Sequence, residues 1–316
     1  MSEVRPALAT VRLSRRQALL STAALAVARA CAGPAFAADD MLSRPIPHSG
    51  EMLPVIGLGT AYNFDVDANS RERADLAKVV SALAEGGGKV IDTSSDYGRA
   101  EEVVGGLMAE LSLRPRIFVA TKISSGTDAR TARAEFERGL KRLKVDRVDL
   151  LQLHNVFDPK QSLAQLRDWK AAGRCRYIGV TSTYPRDYPA MEAITRREKP
   201  DFVQVEYSLG EREAEERIIP ASAEVGAGII TALPFGRANL FAAVRGRPLP
   251  DFASEFGAQS FAQFFLKYLL GNQAVSVVIP GTSKAEHMID DLGAGRGRLP
   301  DAAERARMLA FWNSLN

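Results

Sequence analysis

Four side chains that can hold or move a proton stand at the ends of short apolar runs in the sequence. They are Asp92, Tyr97, Lys122 and His154. A tyrosine hydroxyl has an ordinary pKa of ~10, so it is a poor acid at neutral pH unless a nearby cation stabilises its anion. Lys122 can be that cation, and Asp92 can keep Lys122 charged and oriented. Because His154 can donate a hydrogen bond to a carbonyl oxygen, the set suits proton transfer to a carbonyl compound.

Each of these residues also has a purely structural interpretation. Asp92 and Lys122 could form an ion pair at the rim of a sheet, and Tyr97 could pack against that rim. His154 could be a hydrogen-bonded histidine of the core. All four, however, follow the ends of neighbouring predicted strands in order, and this arrangement favours a shared catalytic role.

The elements that must position these residues are eight strand-like runs that alternate with amphipathic stretches. The runs are Val55–Thr60, Lys89–Ser94, Ile117–Lys122, Val148–Asn155, Cys175–Ser182, Phe202–Ser208, Gly228–Phe235 and Ala274–Gly281. They are almost continuously apolar, as expected for parallel strands covered by helices. We therefore predict an α/β fold, a (β/α)8 TIM barrel that forms a single domain over residues 38–316 and carries its chemistry at the C-terminal strand ends.

The amphipathic stretches supply the helices that cover such a barrel. Predicted helices include Arg71–Glu85, Ala129–Leu143, Ser162–Ala172, Glu213–Val225 and Ser260–Leu270. A doubly wound open sheet is the alternative architecture. That fold usually binds a dinucleotide through a G-x-G-x-x-G turn after its first strand, and the sequence has no such motif. The barrel is the favoured prediction.

Composition excludes several classes of site and partner. Three His and two distant Cys provide no cluster at the spacing of a His/Cys zinc site, and they exclude a disulfide framework. The formal net charge is +3, but residues 1–37 hold five Arg and one Glu, so the remainder of the chain carries −1. We therefore expect neither a metal site nor a nucleic-acid partner.

Residues 1–37 have the pattern of a removable export signal. The Arg15–Arg16 pair precedes a weakly apolar run, and Ala-Phe-Ala at 35–37 supplies a small-x-small cleavage site. The paired arginines resemble a twin-arginine signal, which predicts cleavage near Ala37, contact with the twin-arginine export machinery and a periplasmic location. A disordered basic tail is the alternative. Arg29 interrupts the apolar run well short of the roughly 20 residues that span a bilayer, so we expect no stable membrane anchor.

The motifs at the strand ends occur in the order found in one enzyme family. They include Ile91-Asp92-Thr93 with Tyr97-Gly98, then Thr121-Lys122, Leu150–His154, Ile178–Ser182, Gln204–Tyr207, Pro234–Gly236 and Ile279–Lys284. From about residue 45 to residue 295 the chain resembles the aldo-keto reductases. The resemblance implies an NAD(P)H-dependent barrel enzyme that reduces a small-molecule aldehyde or ketone to an alcohol.

The resemblance also implies a role for each of the four proton-handling residues. Tyr97 would be the general acid that protonates the carbonyl oxygen as hydride arrives from the nicotinamide. Lys122, paired with Asp92, would lower the pKa of Tyr97. His154 would orient and polarise the carbonyl group.

The implied cofactor lies extended across the mouth of the barrel. Its implied contacts are Thr60, Asp92, Thr181, Ser182, Gln204, Leu233, Pro234, Phe235, Gly281, Thr282, Lys284, His287 and Asp291. Lys284 favours NADPH, because a lysine can bind the 2′-phosphate. Many NADPH-preferring members carry Arg in place of His287, and Asp291 replaces a common Asn, so NADH is the alternative cofactor.

Two functions from different classes remain open. The first is a carbonyl reductase, which the intact set of four proton-handling residues favours. The second is a nucleotide-binding redox sensor or regulatory subunit with little turnover. Two departures from the family pattern favour the sensor. The pair Thr181-Ser182 replaces the usual Ser-Asn, and Ala232 replaces the aromatic residue that usually stacks on the nicotinamide.

Overall fold

An antiparallel hairpin of strands β1 (Ser43–Pro45) and β2 (Met52–Pro54) leads into the main sheet. The structure is a computed structural model that describes residues 40–158 and 160–315, so the predicted export signal lies outside the described residues. Ile46 and Leu53 of the hairpin are buried in the cluster that fills the sheet interior, next to Phe118 at the start of its strand. The hairpin therefore closes the N-terminal end of the sheet.

The main sheet consists of parallel strands in sequential order. They are β3 (Leu58–Gly59), β4 (Val90–Asp92), β5 (Phe118–Ser124), β6 (Val148–His154), β7 (Cys175–Ser182), β8 (Phe202–Glu206), β9 (Gly228–Ala232) and β10 (Val275–Val278). Hydrogen bonds between the residues just before β3 and the last strand, β10, close this sheet into a ring. The amide N–H of Gly57 donates to the Val278 carbonyl, and the amide N–H of Val278 donates to the Val55 carbonyl, both at 2.9 Å. The predicted (β/α)8 barrel is confirmed.

Helices connect the strands and cover the outside of the barrel. They are α1 (Arg71–Glu85), α2 (Ala100–Glu110), α3 (Ala129–Leu143), α4 (Ala164–Ala171), α5 (Tyr188–Glu198), α6 (Ile218–Val225), α7 (Asn239–Ala243), α8 (Phe261–Leu270), α9 (Ala285–Gly293) and α10 (Ala302–Asn313). Short 3-10 turns occur at Arg114–Arg116, Pro185–Asp187, Glu213–Glu215 and Asp251–Phe256. Within residues 40–158 and 160–315, no helix is both long and apolar enough to cross a membrane.

Helix α1 shows how the local sequence determines where a helix begins and which face it buries. Ser70 caps its first turn by accepting a hydrogen bond from the Arg73 amide. Its fully buried face consists of Leu76, Val79, Val80 and Leu83. This spacing places the four side chains on one stripe of the helix, which faces the barrel. The predicted bounds of α1, and likewise those of α3, are confirmed.

Glycine is needed where α2 crosses the end of α3. A Cβ atom at Gly105 would lie 2.2 Å from the Arg142 carbonyl oxygen and 2.6 Å from the Leu143 carbonyl carbon. Backbone atoms of a packed helix cannot move aside at low cost. At the next position, Gly106, a Cβ atom would meet the end of the Arg73 side chain at 3.0 Å, and this flexible group can rotate away.

These two adjacent glycines make a matched pair of variants. We expect Gly105→Ala to lower the free energy of unfolding by about 1–3 kcal/mol, the usual cost of overpacking. We expect Gly106→Ala to raise it by up to about 1 kcal/mol, because alanine is the better helix former. Urea unfolding of both variants measures the difference. Equal effects of the two substitutions would show that α2 and α3 do not pack as closely as described.

Candidate active site

A cavity of about 680 Å³ opens at the C-terminal ends of the barrel strands. Asp92, Tyr97 and His154 line it, while Lys122 lies beside Asp92 and Tyr97 on the adjacent strand β5. The structure thus brings together all four residues that the sequence analysis singled out for proton transfer. Clustered titratable groups in a concave pocket are the usual mark of an active site.

Asp92 and Lys122 form an ion pair in the floor of this cavity. Asp92 is the last residue of β4, and Lys122 lies on β5 two residues beyond Ala120, which pairs with Asp92 across the sheet. Lys122 Nζ donates to Asp92 Oδ2 at 2.6 Å and to the Thr93 carbonyl oxygen at 2.9 Å, and both charged side chains are buried. Burial lowers the pKa of Lys122, but the charges of Asp92 and Tyr97 and their hydrogen bonds outweigh it and raise that pKa. Lys122 is therefore a fixed cation.

Two glutamines extend the hydrogen bonds around Asp92. Gln204 Nε2 donates to Asp92 Oδ2 at 3.1 Å, and Gln152 Nε2 donates to Gln204 Oε1 at 2.8 Å. Gln204 is one of the predicted cofactor contacts, whereas the sequence motifs assign no role to Gln152. The sequence did contain an indication of its role, because a buried amide in the middle of the apolar strand β6 needs a polar partner.

Tyr97 stands over the ion pair in the turn after β4. The Lys122 Nζ atom lies 4.8 Å from the centre of its ring. The expectation of a lowered pKa needs correction. Burial is the largest influence and raises the pKa of Tyr97, while the Lys122 charge and hydrogen bond lower it only in part. The hydroxyl of Tyr97 therefore stays protonated at neutral pH. If the proton leaves, the nearby charge of Lys122 can stabilise the resulting anion.

His154 ends β6 and faces the edge of Tyr97. The ring centres of the two residues are 5.7 Å apart, with an angle of 80° between the planes. His154 Nδ1 lies 3.0 Å from Asp96 Oδ2 and 3.3 Å from Ser94 Oγ. Burial and then the Lys122 charge lower the pKa of His154, against the opposing effect of Asp96. The imidazole is therefore mainly neutral at pH 7.

The predicted cofactor residues divide into those that line the cavity and those that do not. The lining residues are Thr60, Asp92, Thr181, Gln204, Leu233, Pro234, Phe235 and Gly281. Ser182 is buried, and its hydroxyl donates to Asp187 Oδ2 at 2.7 Å. Successive side chains alternate across a strand, so Thr181 and Ser182 cannot face the same side of β7.

The remaining predicted contacts lie near helix α9, outside the walls of the cavity. Thr282 Oγ1 accepts from the Lys284 amide at 3.1 Å and lies 3.4 Å from His287 Nδ1. Lys284 and His287 are exposed, whereas Asp291 on α9 is buried. Burial is the first cause that raises the pKa of Asp291, followed by the charge of Asp290. An exposed lysine side chain can bind an anionic group from solvent.

Backbone geometry along the cavity is unusual. Asn155, Leu233, Arg237 and Ala238 all line it and all have positive φ. Left-handed backbone is rare for residues with a Cβ atom, and a branched or bulky side chain makes it costly. Such conformations persist where the surrounding structure imposes them, and they cluster at binding sites.

Aromatic side chains form the entrance of the cavity. They are Tyr62, Tyr184, Phe235 and Phe241. Tyr62 is 75% exposed and Tyr184 is 41% exposed, and it is the grouping of four aromatic residues around one cavity that indicates a binding surface. The entrance is therefore suited to an apolar part of a ligand, above a floor that carries the polar chemistry.

A larger cleft of about 1040 Å³ lies at the opposite end of the barrel. Three of its charged residues pair with one another, since Arg176 pairs with Asp149 at 3.0 Å and Arg114 pairs with Asp149 at 3.2 Å. This cleft lacks the proton-transfer set. Within the described part of the chain, no three His, Cys, Asp or Glu side chains are grouped so that they could hold a metal ion.

Comparisons with known proteins agree with this geometry. The model of the aldo/keto reductase family matches residues 55–305. The probable aldo-keto reductase 1 of Glycine max is 27% identical over 282 residues, which cover 76% of this chain and 78% of that protein. Aldo-keto reductase YhdN of Bacillus subtilis is 31% identical over 57% of each chain.

Solved structures share the fold. An aldo-keto reductase from Klebsiella pneumoniae, crystallised with NADPH, aligns with a TM-score of 0.71 and 23% identity over 86% of this chain and 96% of its own. The family model spans most of the sequence and includes every strand of the closed barrel. The chain belongs to the aldo/keto reductase family.

Proposed function

We propose that this protein uses NADPH to reduce an aldehyde or ketone to an alcohol. The observation that carries the proposal is the position of Tyr97 at the cavity wall, directly above the buried pair of Lys122 and Asp92. A protonated hydroxyl next to a fixed cation suits a general acid. The NADPH bound to the Klebsiella relative supports the same cofactor here.

The walls of the cavity fit such a cofactor. Thr181 and Gln204 offer polar groups for a carboxamide, and Leu233 with Phe235 offers an apolar surface for a flat ring. A Cβ atom at Gly281 would lie only 3.1 Å from the Gly59 carbonyl oxygen, so the two strand ends approach closely and leave a smooth wall. NADPH, when bound there, supplies the hydride.

The residues of the chain carry the proton that must accompany the hydride. Tyr97 gives its proton to the carbonyl oxygen as negative charge develops on that atom. Lys122 then stabilises the tyrosinate, and Asp92 holds Lys122 in position through a 2.6 Å contact. His154 faces the same space from β6 and interacts with the same oxygen. Solvent returns the proton to Tyr97 at the end of the cycle.

Removal of the Tyr97 hydroxyl tests the general acid. We expect Tyr97→Phe to lower kcat for reduction of a reactive aldehyde by about 10²–10⁴-fold, because the proton donor is lost while the ring remains. NADPH oxidation followed by absorbance gives kcat, and fluorescence titration gives the NADPH affinity, which should change little.

Tyr184→Phe is the matched control, since it removes another hydroxyl from the same cavity. We expect its kcat to stay within a few-fold of wild type. Equal losses in the two variants would contradict the assignment of Tyr97. If the wild type binds NADPH and shows no turnover with aldehydes, ketones or quinones, the sensor function replaces the reductase.

The Lys122–Asp92 pair can be tested separately for stability and for catalysis. Lys122→Met leaves the Asp92 carboxylate buried without its cation, so we expect a loss of about 3–5 kcal/mol in the free energy of unfolding. The double variant Asp92→Asn/Lys122→Met should recover most of that loss, because no unpaired charge remains. Its kcat should stay low, since no cation stabilises the tyrosinate. Recovered turnover in the double variant would contradict the catalytic role of Lys122.

We also propose that residues 1–37 direct export through the twin-arginine machinery. The Arg15–Arg16 pair and the Ala-Phe-Ala sequence before residue 38 support it. Because that route carries folded proteins, the barrel would fold around its cofactor before export. In a bacterial host we expect a periplasmic protein that begins at Ala38 and contains nucleotide, and an Arg15→Lys/Arg16→Lys variant that stays in the cytoplasm. Unchanged export of that variant would contradict the twin-arginine route. A periplasmic protein without nucleotide would contradict folding around the cofactor before export.

A further inference from the structure

We propose that Asp96 is a positioning residue that holds the ring proton of His154 on Nδ1, so that Nε2 can donate a hydrogen bond only when the imidazole is positively charged. The contact itself is independent of any reaction. Its consequence for catalysis rests on the proposed reductase function.

Within the part of the chain that the structure describes, the hydrogen-bond contacts of the imidazole all fall on one nitrogen. His154 Nδ1 lies 3.0 Å from Asp96 Oδ2 and 3.3 Å from Ser94 Oγ. An ionised carboxylate can only accept a hydrogen bond, so Nδ1 must carry the proton in the Asp96 contact. The turn holds this arrangement in place, because the Asp96 amide donates to Ser94 Oγ at 3.2 Å.

The position of the proton decides what His154 can do at the cavity. A neutral imidazole has a single ring proton, so Nδ1–H leaves Nε2 as an acceptor. A carbonyl oxygen is also an acceptor, and the two would repel. Carbonyl reduction then needs the charged imidazole, which bears a proton on both nitrogens. Alcohol oxidation, the reverse reaction, is served by the neutral form, because the alcohol hydroxyl can donate to Nε2.

Several charged and titratable groups face His154. Asp96 and Asp92 approach from β4 and the turn after it, Lys122 from β5, and Tyr97 lies edge-on to the ring. Burial and the Lys122 charge lower the pKa of His154, and the two carboxylates oppose them in part. The charged form is therefore lost as pH rises through a value below the ordinary ~6.5. The pKa of Tyr97 is raised, so its titration is well separated.

Nitrogen NMR reads the tautomer directly. The chain has three histidines, His48, His154 and His287, so a His154→Asn spectrum assigns the ring signals. At pH 8, with ¹⁵N-histidine in the wild type, we expect Nδ1 of His154 to be protonated and Nε2 to be bare. In Asp96→Ala only the Ser94 hydroxyl remains at Nδ1 and can donate to it, so the ring proton should move to Nε2.

This measurement needs neither substrate nor cofactor. An Nε2–H tautomer in the wild type, or the same tautomer in both proteins, would overturn the role of Asp96. A reductase that fails to turn over would leave the NMR result intact. The two proposals can therefore fail separately.

The kinetic consequence is a change in the pH profile. For wild type we expect kcat/KM for aldehyde reduction to fall about tenfold per pH unit above the titration of His154, while kcat/KM for alcohol oxidation rises. In Asp96→Ala the neutral ring can donate from Nε2, so reduction should change less than about threefold between pH 6 and pH 8.

The control is Asp67→Ala, which also removes a carboxylate. Asp67 is exposed and pairs with Arg99, not with His154. Its pH profile should match that of wild type. A profile for Asp96→Ala with the wild-type slope, or a flattened profile for Asp67→Ala, would contradict the proposed coupling.

Discussion

The buried ion pair between Asp92 and Lys122 is the constraint on which the rest of the site depends. Two charges without contact to water are tolerated only when they satisfy each other and their remaining hydrogen bonds. Neighbouring parallel strands bring the two residues within 2.6 Å, and the Thr93 carbonyl and Gln204 complete the hydrogen bonding. A closed barrel supplies such neighbours at the end of every strand. The fold therefore holds the buried Lys122 cation in a fixed position beneath the Tyr97 ring.

Burial and the charge of this cation together set the protonation states of Tyr97 and His154. Lys122 alone favours the anion of Tyr97, but burial of the phenol has the larger effect and raises the pKa of Tyr97. The same positive charge acts with burial on the imidazole and lowers the pKa of His154. A protonated phenol and a neutral imidazole thus face each other, with 5.7 Å between the centres of the two rings. Environments that separate the pKa values of neighbouring groups are how a site assigns acid and base roles.

Local patterns in the sequence predicted the barrel, because each strand is a continuous apolar run and helices such as α1 have caps and one buried face. Some predicted bounds of helices and strands were wrong. The predicted helix Glu213–Val225 begins only at Ile218, because Pro220 is tolerated in the first turn of a helix and not in its interior. The first predicted strand, Val55–Thr60, pairs regularly only at Leu58–Gly59.

Within the site, the order of motifs in the sequence predicted that Asp92, Tyr97, Lys122 and His154 lie together, but it did not predict their protonation or their supporting contacts. The Asp96–His154 contact joins a turn to a strand 58 positions away, and the raised pKa of Tyr97 depends on burial, which no short motif encodes.

The site has two layers that differ in how well they tolerate substitution. Its floor consists of buried, mutually hydrogen-bonded side chains, so a change there disturbs both stability and chemistry. Its entrance consists of exposed aromatic rings such as Tyr62 and Tyr184, which can change without disturbing the floor. Under the proposed function, substitutions at the entrance can therefore change which substrate binds while the proposed proton transfer stays the same.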